Sequence, residues 1–209
     1  PGDLFPPFVA ARAGSELIHV ESLSTGSVRD ATFSARAGEI VGIGGLVGQG
    51  QEDFLLGLYG AIPATASNAV ICGHRGPFAS VGAATAAGLA YIPADRKKEG
   101  LILSHTISSN LLLPSVGRLM RRGLRDRCGE ASLVADLARR LTIRGATERP
   151  VQALSGGNQQ KVALAKWLPL SPKVLLLNDP TRGVDIGTKR EIYTMLRAFA
   201  DEGKLIVLL

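Results

Sequence analysis

The feature that most constrains the fold is a set of short apolar runs separated by longer helix-like segments. The clearest runs are Glu39–Ile43, Val174–Leu177 and Lys204–Leu209. Because they do not alternate apolar with polar residues, we expect strands that are buried on both faces, as in a parallel sheet covered by helices. The composition agrees, since 45% of the residues are hydrophobic and only 5% are aromatic. The pattern predicts an α/β fold with a mostly parallel sheet.

The remaining segments predict the organisation around this sheet. Further strands are expected at Glu16–Val20, Ala31–Ala35, Ala69–Cys72 and Ala90–Pro93. Helices are expected at Gln51–Tyr59, Ala83–Leu89, Gly157–Leu168 and Gly187–Ala200, with a helical insertion over about 105–168 that breaks at Pro114 and near Gly123. Residues 1–15, which contain three prolines, are interpreted as an interdomain linker and residues 16–209 as one domain. Because the chain stops inside an apolar strand, we expect that domain to be truncated.

The segment Leu154–Val162, with the sequence LSGGNQQKV, is the most specific motif. A hydroxyl and two adjacent glycines precede an apolar-periodic stretch, which predicts a helix start. Because glycine has no side chain, a phosphate can approach the backbone closely there. Such an end attracts anions, because its first N–H groups lack partners inside the helix and the helix dipole is positive there.

A second glycine-rich turn, Gly45–Glu52, follows a predicted strand and opens a predicted helix. Its spacing is that of G-x-x-x-x-G-K-[ST], whose backbone N–H groups cradle phosphates. Gln51 stands where the lysine is expected, and Glu52 stands where a hydroxyl is expected to hold Mg²⁺. The missing lysine matters for affinity, because one charge pair between a lysine and a phosphate near 4 Å is worth about 4 kcal/mol at a surface-like dielectric. Acids in a first helical turn also complement the dipole, so for Glu52 and Asp53 a structural role and a direct ligand role both remain open.

The polar residues Asn178 and Asp179 follow the apolar run Val174–Leu177. The combination N-D-P is typical of a turn after a strand. With Thr181–Asp185 directly behind it, however, the pair is better interpreted as an altered acidic motif of a nucleotide site.

In this order the motifs resemble those of ATP-binding cassette (ABC) ATPases: phosphate loop, helical insertion, signature segment Leu154–Val162, acidic motif, and the loop Gly183–Asp185. The stretch Tyr91–Leu101 and the opening Asp3–Pro6 resemble sequences of monosaccharide importers. The resemblance covers nearly the whole chain and is closest to the C-terminal half of the tandem ATPase subunit of ribose-, galactose- and xylose-type importers. It implies a P-loop core with a mostly parallel sheet, an antiparallel β subdomain and a helical insertion.

Carried over by position, the resemblance implies several groups of site residues. The chain's own ATP site is implied at Gly45, Leu46, Val47, Gly48, Gln49, Gly50, Gln51 and Glu52. Contacts with the ATP of another cassette are implied at Ser155, Gly156, Gly157 and Gln159, and a place at the dimer interface for Asp185. Asn178 and Asp179 occupy the positions of the family's metal-supporting Asp and catalytic Glu, so Mg²⁺ is expected near Glu52 and Asn178. Ala94 stands at the position where ABC proteins usually carry a Gln or Glu.

The resemblance also implies the partners and the location. We expect ATP with Mg²⁺, held weakly or not at all by the own site, an N-terminal or second cassette, transmembrane permease subunits, and indirectly a periplasmic sugar-binding protein. We also expect a peripheral location on the cytoplasmic face of the membrane.

A non-hydrolytic regulatory or scaffolding domain and a nucleic-acid-related ABC ATPase remain alternatives. The net charge of +6 and the arginines of 118–127 favour the latter slightly, but no aromatic residues interleave with them to stack bases. No apolar run approaches the roughly 18 residues that span a bilayer. The two cysteines, Cys72 and Cys128, have no close spacing and are interpreted as free thiols.

Overall fold

The computed structural model describes residues 14–121, 124–140, 142–143 and 146–209. The predicted linker 1–15 therefore lies almost wholly outside the described residues. The chain divides into two compact units. The first contains the described residues up to Ile92, together with Pro172–Pro180 and Tyr193–Leu209, and the second contains Pro93–Ser171 and Thr181–Ile192.

Strands and helices are interspersed along the chain. The strands are β1 Glu16–Thr25, β2 Val28–Arg36, β3 Ile40–Gly42, β4 Ala64–Thr65, β5 Asn68–Ile71, β6 His74–Arg75, β7 Leu89–Ile92, β8 Met120–Arg121, β9 Leu124–Arg125, β10 Val174–Leu177 and β11 Leu205–Leu208. The α-helices are α1 Gln51–Leu58, α2 Val81–Ala87, α3 Ile107–Leu112, α4 Val116–Leu119, α5 Arg127–Arg140, α6 Gly156–Ala165 and α7 Ile186–Asp201.

A four-stranded parallel sheet forms the core of the first unit, in the order β3-β11-β10-β7. Its central strand β10 is buried at every residue, as its four consecutive apolar residues predict. The carboxyl ends of β3 and β10 lead into the phosphate-loop segment Gly45–Glu52 and into Asn178. Parallel strands bring their carboxyl ends to one edge, so these two motifs meet there. The predicted parallel core is confirmed.

The predicted antiparallel β subdomain is present in the same unit as a five-stranded sheet. Its long strand β1 pairs with β2, β4 and β5, and β6 pairs with β5. The side chains of Ile18, Val20 and Leu23 are completely buried. Phe33 of β2 meets Phe54 of α1 edge to face at 5.5 Å, which packs helix α1 against this sheet.

The second unit is mainly helical and contains the predicted insertion. The expected break at Pro114 is confirmed, because a 3₁₀ turn, Leu113–Ser115, separates α3 from α4. The break expected near Gly123 falls on residues outside those described. The short hairpin of β8 and β9 was not predicted, since two-residue strands have no usable hydrophobic period.

Two predicted helix ends were wrong, each for a local reason. Helix α2 ends at Ala87, since Gly88 adopts a left-handed conformation (φ 104°) and Leu89 already begins β7. Helix α6 ends at Ala165 rather than Leu168, because Pro169 has no N–H to donate to the Ala165 carbonyl, and Leu168–Leu170 forms a 3₁₀ turn instead. Among the described residues, no helix is long and apolar enough to cross a membrane.

Candidate functional site

The phosphate-loop segment connects β3 to α1 in the first unit. Gly48 and Gly50 both have positive φ angles, 86° and 94°, a conformation that glycine adopts without strain. Gly50 is the N-cap of α1, and no side chain caps the helix there. Leu46 and Val47 are highly exposed, with 72% and 105% of their reference surface. The predicted strand–loop–helix geometry is therefore present, with an apolar tip exposed to solvent.

The side chains of this loop bond to its own backbone. The Gln51 amide Nε2 donates to the Leu46 carbonyl over 3.0 Å, and the Gln49 N–H donates to the same carbonyl over 3.2 Å. The Leu46 N–H in turn donates to Gln49 Oε1 at 3.4 Å. A Cβ placed on Gly45 would lie only 1.8 Å from Gln51 Nε2, so the glutamine amide lies directly against the loop backbone. A neutral amide thus crosses the loop in the position where the motif's lysine is expected.

Asn178 and Glu52 are brought together, as the resemblance to ABC ATPases implies. The Asn178 amide Nδ2 donates to Glu52 Oε1 over 2.7 Å and contacts the Tyr91 hydroxyl at 3.3 Å. Asn178 and Tyr91 are only 7% and 8% exposed. Asp179 follows in a left-handed backbone conformation (φ 43°) with its side chain exposed. The contact with Tyr91 was missed, because an aromatic residue at the end of a buried strand first suggests packing.

The residues at this edge lack the lysine and the hydroxyl that the phosphate-loop motif places beside a magnesium nucleotide. No lysine or arginine occurs between Glu39 and Tyr59, so nothing in the loop itself neutralises a triphosphate. The described residues contain no group of three or more His, Cys, Asp or Glu side chains arranged to hold a metal ion. One carboxylate oxygen of Glu52 is also already engaged by the Asn178 amide.

Asp53 has a structural role beside the loop. Its Oδ2 accepts hydrogen bonds from the Ser27 N–H at 2.8 Å and from the Ser27 hydroxyl at 2.7 Å. These two bonds, first the backbone one, lower the pKa of the Asp53 carboxyl below its usual value. A Cβ on Gly26 would lie 2.3 Å from the same carboxylate. Asp53 therefore joins the first turn of α1 to the turn between β1 and β2.

The signature segment Leu154–Val162 starts helix α6 in the second unit. Ser155 is the N-cap, and its hydroxyl accepts hydrogen bonds from the Asn158 N–H at 3.4 Å and from Asn158 Nδ2 at 3.0 Å. Ser155 is exposed, Gly156 is half-buried and Gly157 is buried. Gln159 is only 5% exposed and donates back to the Leu154 carbonyl over 3.1 Å. Of the four residues expected to contact another cassette's nucleotide, Ser155 and Gly156 are therefore the most accessible.

Asp185 lies beside this helix start and holds the first turn of α7. Its Oδ1 accepts from the Thr188 N–H at 3.0 Å and its Oδ2 from the Thr188 hydroxyl at 2.7 Å. These hydrogen bonds, the backbone one first, lower the pKa of the exposed Asp185 carboxyl. The side chain thus acts as an N-cap and remains ionised at neutral pH.

A polar cavity of about 210 Å³ separates the starts of α6 and α7. Lys161, whose side chain is 6% exposed, forms an ion pair with Glu191 across it at 2.6 Å. The cavity is lined by Ser155, Asn158, Lys161, Asp185, Gly187, Thr188 and Glu191. The fold therefore collects the signature start and Asp185 around one opening, although they are distant in sequence.

A family model described as ABC transporter matches residues 28–182. The chain is 45% identical over 210 residues to the ribose import ATP-binding protein RbsA 1 of Rhizobium johnstonii, and 41% identical over 197 residues to RbsA of Bacillus subtilis. These alignments cover 98% and 93% of this chain but only 41% and 40% of the relatives. The chain thus spans about two fifths of the length of the curated relatives it matches.

Solved structures show the same fold. An ATP-binding cassette of an ABC transporter in its ADP conformation, MJ1267, matches 93% of this chain and 80% of its own, with a TM-score of 0.76 and 16% identity. The dimeric cassette MJ0796 with ADP and Pi matches 92% and 87%, with a TM-score of 0.77 and 20% identity. The predicted P-loop cassette fold is confirmed. Since the family model matches most of the chain and relatives align over nearly all of it, the chain belongs to the ABC transporter family.

Proposed function

We propose that this chain is a nucleotide-binding cassette that energises sugar import, with a degenerate ATP site of its own. In this proposal the signature start around Ser155–Gly157 completes the ATP site of a partner cassette. Asp185 lies at the interface with that partner. Hydrolysis then takes place on the partner's phosphate loop, and this chain contributes binding energy and orientation.

The observation that carries the proposal is the bonding of Gln51. Its amide binds the Leu46 carbonyl and lies against Gly45, so a bound phosphate would have to displace it. After displacement a glutamine still brings no positive charge, whereas a lysine near 4 Å would contribute about 4 kcal/mol. Each 1.4 kcal/mol corresponds to about tenfold in affinity. The own site is therefore expected to bind ATP weakly and to hydrolyse it poorly.

The acidic motif supports the same conclusion. Asn178 lacks the charge that favours Mg²⁺, and its amide is bonded to Glu52. Asp179 retains a carboxylate but is one methylene shorter than a glutamate, and a misplacement near 1 Å can cost about a hundredfold in rate. We therefore expect no efficient activation of water at this edge of the sheet.

The signature start has the opposite properties. Helix α6 is capped by a serine that remains exposed, and the positive end of its dipole borders a polar cavity. A γ-phosphate brought by another cassette would meet backbone and hydroxyl groups that need little rearrangement.

The transport role rests on the relatives. The two relatives described above are named as ribose import ATP-binding proteins and are more than twice as long as the alignment. We propose that the partner cassette is an N-terminal half of the same polypeptide or a second chain, and that permease subunits bind the assembly at the cytoplasmic face of the membrane. A periplasmic sugar-binding protein takes part indirectly, and the sugar is recognised outside this chain.

Magnesium-dependent ATP hydrolysis tests the proposal. The chain alone is expected to show little turnover, whereas a cassette with an intact phosphate loop and acidic motif should turn over ATP faster when this chain is present. Ready hydrolysis by the chain alone that is lost on Gly156→Asp would contradict the assignment, because an isolated chain would then use its own signature.

A regulatory or scaffolding domain that binds no nucleotide is the second candidate, and the self-bonded loop of Gln49 and Gln51 favours it. Equilibrium binding of labelled ATP or ADP separates the two functions. Saturable binding that Gly50→Asp abolishes would exclude the scaffolding function. The basic run Arg96–Lys98 gives little support to a nucleic-acid role, because Arg96 is buried. Salt-sensitive binding to DNA or RNA would support that role.

A further inference from the structure

Arg96 is a buried cation whose hydrogen bonds go to backbone rather than to an acid. It is the first residue of a π-helical turn, Arg96–Gly100, which Asp95 caps by accepting from the N–H groups of Lys97 and Lys98. Only 7% of Arg96 is exposed. Its Nη1 donates to the Arg182 carbonyl over 2.7 Å, and its Nη2 to the Gly183 carbonyl over 3.5 Å.

The same guanidinium lies against the signature glycine. A Cβ placed on Gly156 would be 2.8 Å from Arg96 Nη2 and 3.2 Å from the Gly183 carbonyl oxygen. Because the guanidinium is held by two carbonyls, it cannot move away freely. Arg96, Gly156 and the backbone of Arg182–Gly183 therefore meet at one point of the second unit.

A second contact joins the signature start to the start of α7. A Cβ on Gly157 would lie 2.4 Å from the Thr188 methyl, and Thr188 is itself held by Asp185. The glycine pair is thus packed from one side by the guanidinium and from the other by the threonine. The requirement for glycine at both positions follows from packing inside this chain, in addition to any approach of a phosphate.

A contribution to folding stability is a poor explanation for the burial of Arg96. Burial disfavours the charged form and lowers the pKa of Arg96, an effect that the nearby Asp95 only partly offsets. The Nε of Arg96 is buried and has no hydrogen-bond partner among the described residues. Well-packed apolar side chains are often neutral or stabilising in place of buried charges. The forked donor is matched instead to two adjacent carbonyls, a geometry that fixes position.

We propose that Arg96 is a positioning residue, which holds the 182–185 turn against the signature start so that Ser155, Gly156 and Asp185 meet the partner cassette as one surface. This inference rests on the proposed function, since it concerns the ATP site that the signature completes. Arg96 is not a catalytic residue, because its contacts are to this chain's own backbone.

Steady-state ATP hydrolysis by the assembled protein, with this chain and its partner cassette, tests the inference. Arg96→Ala is expected to lower kcat by about ten- to a hundredfold, as a small misplacement does. The KM for ATP should change by less than about threefold, because the partner's phosphate loop supplies most of the ground-state binding. Arg96→Lys restores one cation without the fork, so its kcat should lie between those of wild type and Arg96→Ala.

Arg118→Ala is the matched control, since this exposed arginine also donates to a carbonyl of the second unit, that of Leu170 at 3.3 Å. It should leave kcat and KM within about twofold, as expected for an exposed site. A folded Arg96→Ala protein with wild-type kcat would overturn the positioning role. If Arg96→Ala does not fold, wild-type kcat in Arg96→Lys overturns it equally. If Gly156→Asp leaves hydrolysis unchanged, the proposed function itself fails, whatever Arg96 does.

Discussion

Two glycine-rich helix starts in this chain have similar sequences and opposite surroundings. At the start of α1, Gly50 is not capped by a side chain, and Gln51 bonds back to the loop. At the start of α6, Ser155 caps the helix and remains exposed beside a polar cavity. Glycine spacing makes a close approach of phosphate possible, but the flanking side chains decide whether the approach is open.

The charges near the two starts differ as well. The region from Glu39 to Tyr59 has no basic residue, and Glu52 lies next to Asn178. Behind the start of α6, the buried side chains of Arg96 and Lys161 bring positive charge, of which Glu191 neutralises one. An anion is therefore expected to be disfavoured at the first start and accepted at the second.

The largest expected effect comes from placing the same acid at both starts. In the assembled protein, Gly156→Asp should lower ATP hydrolysis by a hundredfold or more. Its Cβ would lie 2.8 Å from Arg96 Nη2, and one added charge near a phosphate costs about 4 kcal/mol. Gly48→Asp is the matched variant, since a Cβ there meets nothing within 4 Å and aspartate tolerates its φ of 86° better than most residues. Hydrolysis should then fall by less than about threefold. Equal losses in the two variants would break the comparison.

A smaller effect is expected from restoring the missing cation. Gln51→Lys in the isolated chain should raise the affinity for ATP about ten- to a hundredfold, because part of the 4 kcal/mol of a charge pair is recovered. Titration with fluorescent ATP measures the change. Gln152→Lys adds the same charge at an exposed position outside the phosphate loop and should change the affinity by less than twofold, roughly as for other surface substitutions. If both variants gain equally, net charge rather than the site explains the result.

The smallest effect concerns the cap of α7. Asp185→Ala should lower the melting temperature by about 2–4 °C at pH 7, the shift expected for loss of one N-cap in a domain of this size. Because the folded pKa of Asp185 lies below its usual value of 3.8, the stabilisation is present above pH 3.8 and is lost as the pH falls through the lowered value. In thermal melts of both proteins between pH 7 and pH 3, the difference in melting temperature should therefore shrink below pH 3.8.

Asp201→Ala, which removes a carboxylate from the other end of the same helix, is the control for that series. Its partner Arg197 lies 3.1 Å away and is half-buried, but Asp201 itself is 60% exposed, and ion pairs that solvent reaches contribute little. Its melting temperature should follow that of the wild type at each pH. A difference between wild type and Asp185→Ala that persists unchanged at pH 3 would contradict the role of the ionised carboxylate.

Most of the fold was predictable from local patterns. The strand Val174–Leu177 and the helix start at Gln51 match their predictions, because buried strands and glycine turns leave strong signals over a few residues. The adjacency of Glu52 and Asn178 was implied by the resemblance, which assigns both positions to one nucleotide site. The bonding of Gln51 to Leu46 and the burial of Gln159 were not, because both depend on which neighbour an amide reaches.

Through its resemblance to ABC ATPases, the sequence was sufficient to predict the cassette fold and to single out residues 51, 52, 178 and 179 and the signature segment, because each motif is encoded within a short stretch. Only the tertiary structure showed that Gln51 crosses its own loop and that Arg96 joins Gly156 to the Arg182–Gly183 backbone. In the sequence Arg96 belongs to an ordinary basic run. Its role arises from contacts with residues about sixty to ninety positions away, and such contacts exist only after the chain has folded.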